Sequence, residues 1–393
     1  MSWVFIEPTD VWMFRDGRPF VAGEGHTVST IFPPTPFTVQ GALRSLILGH
    51  EPIDWPEFWG QTTPASQAMG KRIGYPAHTK NGVDVLAELG EFAMQGPFLG
   101  RWLPDEQRAE LLVNRPLDSY YIDDNSQSWE TLRPEKLETV WTDWPQGVPM
   151  LYPLRATKSV QKAEETEHPL LLNQSGLPLY LDEKPFQLSQ RATFVGEHRL
   201  GIALNYDRRR PRDRMIYSLE YKRPFICQIG SDAEPGLLVK LGNGVQLPQQ
   251  EGILSIGGEA RAARYRVLDD EQAPQLPHIK ATTRLKVLLL TPAWFSGGWQ
   301  PKDGNWSKLF GQEVRLMAAA IGRSQYIGGW RVPNKGWHKP MRPFVPAGSV
   351  YFFEANEPIT PVATFTESPD DKLKFGKQGF GACISGHWSW LTQ

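Results

Sequence analysis

WVFIEPTDVWMF, from Trp3 to Phe14, followed after a polar, glycine-bearing loop by TVQGALRSLIL, from Thr38 to Leu48, is the stretch that decides the fold. The first run is rich in β-branched and aromatic residues and reads as a strand. In the second, Val39, Leu43, Leu46 and Ile47 recur at helical spacing, and Thr35 or Thr38 stands where a cap is expected. The chain therefore opens as strand, long loop, helix.

The other end has a comparable rhythm. Lys286–Leu290 is a continuous apolar run of the kind found in buried strands. Glu313–Ile321 reads as a short helix, with Val314, Leu316, Met317 and Ala320 apolar. Ser349–Phe353 and Phe380–Ser385 read as strands. Between the two ends, strands are expected at Glu91–Arg101, Leu111–Ile122, Arg199–Leu204, Met215–Tyr221 and Gly236–Leu241. Asp123–Trp144 is polar and irregular, Gln161–His168 is charge-rich, and Gln272–His278 is a proline-containing linker. Both ends fit a βαββαβ unit, the ferredoxin-like arrangement. The expected fold class is α+β.

At ~150 residues per domain, 393 residues make two domains. The net charge of −1 and pI near 6.7 are not those of a broadly basic nucleic-acid binder, so any RNA site must be a local patch. Cys227 and Cys383 are too few and too far apart for a disulfide framework or a zinc set, and read as reduced thiols. Glu7 and Asp10 stand where a signal peptide needs a basic start and an apolar core. The longest apolar stretch, around Leu285–Phe295, is too short to span a bilayer and contains Pro292. The expected location is the cytoplasm.

Five stretches carry chemistry. Arg15-Asp16-Gly17-Arg18-Pro19-Phe20, with Gly23-Glu24-Gly25-His26 after it, sets two arginines around a tight turn. Arginine grips phosphate in a fork, and glycine lets backbone approach it; a turn with an Arg15–Asp16 surface contact fits equally. Gly257 and Gly258 precede Arg261, Arg264 and Arg266, as in a backbone anion site or a plain hairpin bulge. Trp330, Arg331, Lys335, Trp337, His338, Lys339 and Arg342 interleave rings with cations. That pattern suits single-stranded RNA, where bases stack on rings at roughly 1–3 kcal/mol each; core tryptophans in a solvated loop would look the same. Gly379-Phe380-Gly381 follows Lys372, Lys374 and Lys377 but is no dinucleotide fingerprint. Arg208, Arg209, Arg210, Arg212 and Arg214 fall within seven residues, a basic patch or a flexible loop. The eight histidines show no metal-ligand spacing, and neither cysteine sits in a nucleophile motif. His26, beside glycines and arginines, is the best acid–base candidate.

Taken in order, these blocks resemble a RAMP-superfamily family, the third-named subunit of the type III-B CRISPR (Cmr) effector complex. The matching pieces are Arg15–Phe20, Phe32-Pro33-Pro34 leading into Thr38–Arg44, Gly96–Leu99, Glu197–Ile202, Gly257–Glu259, Leu290–Ala293 and Ile327–Trp330. Lys339–Glu354 is the most specific, and Gly379-Phe380-Gly381 resembles the C-terminal RAMP glycine loop. The segment from about 120 to 190 matches poorly. The resemblance implies two ferredoxin-like, RRM-like RAMP domains, expected at 1–205 and 206–393, with a large insertion at about 51–190 in the first. It implies a non-catalytic scaffold that needs no cofactor and no metal. Its expected partners are the 5′ handle of the crRNA, the large Cas10-type subunit, the backbone RAMP subunits and, indirectly, target RNA; no membrane is expected. The RNA-binding candidates are Arg15, Arg18, His26, Thr38, Gln40, Arg44, Arg208, Arg209, Arg210, Gly257, Gly258, Arg261, Trp330, Arg331, Lys335, Lys339, Arg342, Gly379 and Gly381. Two alternatives stay open: a metal-independent RAMP endoribonuclease using His26, and a tryptophan-rich glycan binder that would leave the arginine clusters without a purpose.

Overall fold

The apolar run that opens the chain forms β1 (Trp3–Pro8), in which Val4, Phe5 and Ile6 are wholly buried. A strand apolar on both faces belongs inside a sheet, and β1 is hydrogen-bonded along both edges. The computed structural model describes residues 2–15, 27–74, 78–80, 83–85, 90–123, 128–136, 151–160, 169–189, 193–205, 207, 210–225, 233–242, 244–331, 337–370 and 373–391. After β1 come the helices α1 (Pro36–Gly49), α2 (Trp55–Gly60) and α3 (Pro64–Ile73), then β2 (Met94–Leu103), α4 (Gly176–Leu181) and the long strands β3 (Phe194–Asn205) and β4 (Arg210–Pro224). β5 (Glu234–Leu241), β6 (Glu251–Ser255), β7 (Ala262–Leu268), β8 (Thr282–Leu289) and β9 (Arg315–Ala320) follow. The last are β10 (Gln325–Arg331), β11 (Trp337–Phe344), β12 (Val350–Ile359) and β13 (Cys383–His387). The protein is mixed α and β, with strands in the majority.

Two compact units share the chain in alternating segments. The first takes residues 1–109, 192–273 and 326–342, and the second takes 110–191, 274–325 and 343–393. The stretch 272–278 carries the chain from one to the other. The division expected at 205/206 falls between β3 and β4, and the sheet around β1 runs on to Leu268. In the first unit the strands lie in the order β2-β5-β1-β7-β6, all neighbours antiparallel. α1 packs on this sheet with Val39, Leu43, Leu46 and Ile47 buried, against β2 and β6. In the second unit the order is β9-β12-β8-β13, again antiparallel throughout. Taken by order of appearance, β2-β5-β1-β7 and β9-β12-β8-β13 are the same arrangement: second, third, first, fourth.

Three expectations change. Glu313–Ile321 is strand β9, not a helix. Its pairing with β12 slips between Leu316 and Ala318, a bulge at Met317 that interrupts the alternation and leaves apolar residues at spacings that mimic a helix. Leu111–Ile122 is two strands, Arg108–Asn114 and Ser119–Asp123, separated by the Arg115-Pro116 step. At the start of α1, Thr35 holds the cap position but makes no side-chain cap bond; Pro36 supplies the preset first turn instead. Segment 161–168 lies outside the described residues. Among the described residues, no helix is long and apolar enough to cross a membrane.

The core of the second unit hides a charge. Lys286, in the middle of β8, is fully buried. Its Nζ donates to the Tyr180 carbonyl oxygen at 2.9 Å and lies 3.9 Å from the Tyr180 ring centroid. The Tyr180 hydroxyl donates to Asp118 Oδ1 at 2.9 Å. Burial pulls the Lys286 ammonium down and pushes the Asp118 carboxyl up, and each group's charge opposes the other's shift. Lys286→Met strands Asp118 in the core and is expected to cost about 3–5 kcal/mol in urea unfolding. The double variant Lys286→Met/Asp118→Asn should cost less than the sum of the singles; strict additivity would show that the two groups are uncoupled.

Candidate nucleic-acid interface

The first unit gathers most of the candidate residues. After β1 the chain bends at Thr9-Asp10 and resumes contact through bridges Trp12↔Lys222 and Arg15↔Thr30. This places Met13 and Phe14 beneath the turn between β6 and β7. The Gly258 N–H donates to the Met13 carbonyl at 2.8 Å. Gly257 has φ +80, and a β-carbon there would lie 2.5 Å from the same oxygen, so only glycine fits. Glu259 and Ala260 are also left-handed, at φ +57 and +48. Two such non-glycine residues in succession are strained by about 1–2 kcal/mol each, as at ligand sites. Arg15, exposed, follows Phe14 and bridges Thr30.

Side chains from the β3–β4 hairpin hold the turn down. The Tyr221 hydroxyl donates to Glu259 Oε2 at 2.9 Å. Arg261 donates to the same oxygen at 2.6 Å, and its guanidinium carbon sits 5.0 Å from the Tyr221 ring centroid; that of Arg199 sits 4.8 Å away. Arg261 is thus committed inside the protein. Below it, Glu197 accepts from Arg223 and from Arg199, and Arg223 also bonds Asp10 at 2.9 Å. Arg223 first, then Arg199, hold the Glu197 carboxyl down at about 2.

A second gathering lies at the start of α1. Lys339 of β11 sets its Nζ 4.1 Å from the Phe37 ring centroid, and Gly329 of β10 lets the lysine stem pass close by. Thr38, half-buried, is on the same helical turn. Further along, Gln40 is only 4% exposed, and Arg44 donates to the Gly74 carbonyl at 3.0 Å. Burial lowers the Arg44 guanidinium to about 10, so it stays cationic at neutral pH. Arg44 thus ties α1 to the end of α3, while the buried Gln40 Nε2 has no hydrogen-bond partner among the described residues. Arg342 is half-buried, while Tyr326 and Met341 of the β10–β11 hairpin are well exposed.

Arg18, His26, Arg208, Arg209 and Lys335 lie outside the described residues, as do the side chains of Trp330 and Arg331, whose backbone belongs to β10. Arg210 and Arg212 are exposed near the end of the β3–β4 hairpin. Gly379 and Gly381 are elsewhere, in the second unit. Both are buried; their N–H groups donate to Gly376 and Pro292 carbonyls, and their own carbonyls accept from Thr291 Oγ1 and the Phe365 N–H. At φ +101 and +66 these glycines close a core turn, and their backbone polar groups are spent inside it.

Sequence reasoning missed Phe37, Tyr221 and the outer face of the hairpin, where Leu200 is 79% exposed and Ile202, Leu204 and Ile216 are also in solvent. The alternation Leu200-x-Ile202-x-Leu204 was its readable signal. Among the described residues no group of three or more His, Cys, Asp or Glu could hold a metal ion.

The Cas_Cmr3 family model, CRISPR-associated protein (Cas_Cmr3), matches residues 4–388. No curated protein matches the sequence. Two solved chains it resembles come from cryo-EM structures of the Type III-B Cmr-beta bound to cognate target RNA, one also with AMPPnP. The first is 14% identical, with a TM-score of 0.45, and the second 16% with 0.43; each match covers 89% of this chain and 86% of the other.

Because the folded Glu197 carboxyl sits at about 2 rather than 4.5, its contribution to stability is intact above pH 4.5 and is lost as the pH falls towards 2. Glu197→Gln is expected to flatten that part of the acid-unfolding curve; a Glu197 carboxyl titrating near 4.5 by NMR would contradict the assignment. The match spanning nearly the whole sequence places the chain in the CRISPR-associated Cmr3 family.

Proposed function

We propose that this subunit of a type III-B CRISPR effector is a non-catalytic scaffold that binds the 5′ handle of the crRNA and docks the large Cas10-type subunit. The carrying observation is convergence within one unit: Arg15, the strained Gly257–Ala260 turn, the first turn of α1 and the Lys339 hairpin all belong to the first. The space at Gly257 and Gly258 is filled by Met13 and Phe14, so the phosphate contacts are assigned to Arg15 and Lys339, which supply the charge. On the β3–β4 hairpin, exposed arginines lie next to aliphatic residues, a pairing suited to phosphate contact with bases covering the apolar face. Each four-strand core is read as a ferredoxin-like RAMP domain, which its strand order and antiparallel directions support. Gln40, Arg44, Arg261, Gly379 and Gly381 are assigned to holding the fold, because their polar groups are engaged or buried.

Charge reversal at Arg15 and Arg18, or at Lys339, should weaken guide-RNA binding and reduce the slope of log K against log salt by roughly 0.7 for each phosphate that is no longer neutralised. Unchanged affinity and slope would remove these residues from the site. Cleavage of repeat RNA in EDTA that His26→Ala abolishes would replace the scaffold by a nuclease.

A further inference from the structure

Away from the basic blocks, the segment after α1 carries acids around two tryptophans. After α1 the chain reads His50-Glu51-Pro52-Ile53-Asp54-Trp55-Pro56-Glu57-Phe58-Trp59. Asp54 caps α2, its Oδ1 accepting from the Glu57 N–H at 2.7 Å, and Phe58 anchors the helix in the core. On this fixed platform Trp55 is 47% exposed. Its ring centroid lies 5.8 Å from that of the half-buried Trp59, with the planes at 50°. Glu51, Asp54 and Glu57 stand within four residues of Trp55 in sequence; Arg72 pairs with Glu51 at 3.1 Å, while Asp54 and Glu57 accept only from uncharged donors, the Glu57 N–H and the Thr63 hydroxyl, among the described residues.

We infer that the Trp55–Trp59 face docks a neighbouring protein chain that presents an arginine or lysine beside apolar side chains. Carboxylates repel a phosphate backbone, so RNA is the wrong occupant. An indole face attracts a cation through its quadrupole, and nearby carboxylates add to that attraction. Tryptophan and arginine are also the residues that dominate protein interfaces, and a rigid, pre-placed ring loses little freedom on binding. The inference rests on membership of a multi-subunit effector, and not on where the handle binds.

A photoreactive residue in place of Trp55, in the intact effector complex, should cross-link to a protein peptide containing Arg or Lys. A cross-link to RNA, or none, overturns the inference. Trp55→Ala, and independently Trp59→Ala, should weaken capture of that cross-linked subunit at least about tenfold, with guide-RNA affinity of the isolated chain unchanged. Unchanged subunit composition and affinity in both variants would also overturn it. A wild-type chain that fails to bind guide RNA would defeat the scaffold reading while leaving the cross-link result to stand.

Discussion

β1 and β8 lie inside their sheets, each hydrogen-bonded along both edges, and the first strand of each core sets the register of its two neighbours. β1 pairs with β5 and β7, and β8 with β12 and β13. β1 and β8 are also covered on both faces, over Trp3–Ile6 and Leu285–Leu289, so those residues must be apolar or internally satisfied. β1 meets that demand with Val4, Phe5 and Ile6. β8 meets it with Leu285, Val287, Leu288 and Leu289 while housing Lys286, whose ammonium is answered by the Tyr180 carbonyl and ring. The exposed turns rest on these two axes: the Gly257 turn is hydrogen-bonded to Met13, which the chain reaches five residues after β1 ends.

Within a chain of net charge −1, arginines divide between ion-paired and exposed positions. Many arginines are neutralised in place. Arg199, Arg223 and Arg261 are tied to Glu197, Asp10 and Glu259, and serve as struts beneath the turn. Glu197 and Glu220 sit at the base of the β3–β4 hairpin, while Arg210 and Arg212 are exposed near its far end. Composition averages over this separation.

The two central strands were legible from runs of apolar, β-branched and aromatic residues, and α1 from the helical spacing of Val39, Leu43, Leu46 and Ile47. β9 was not, because one bulge residue shifts Met317 out of step. Glycine pairs were equally visible at 257–258 and 379–381, since both need left-handed backbone. Sequence alone does not say which turn is packed inward; burial decides it, and burial depends on partners such as Thr291 and Thr366 that are far away in the chain. Gln40 and Arg44 became site candidates through the resemblance over Thr38–Arg44. They are four apart on a helix, one turn along from each other, on a flank of the Val39–Leu43–Ile47 face, which turns them inward.

The alternation of segments also bears on how the molecule is made. Residues 326–342 belong to the first unit, yet they leave the ribosome only after β8 and β9 of the second have been synthesised. The first unit therefore cannot be complete during translation until most of the second has been synthesised. Cutting the gene near its middle would yield two fragments, each lacking a piece that the other encodes.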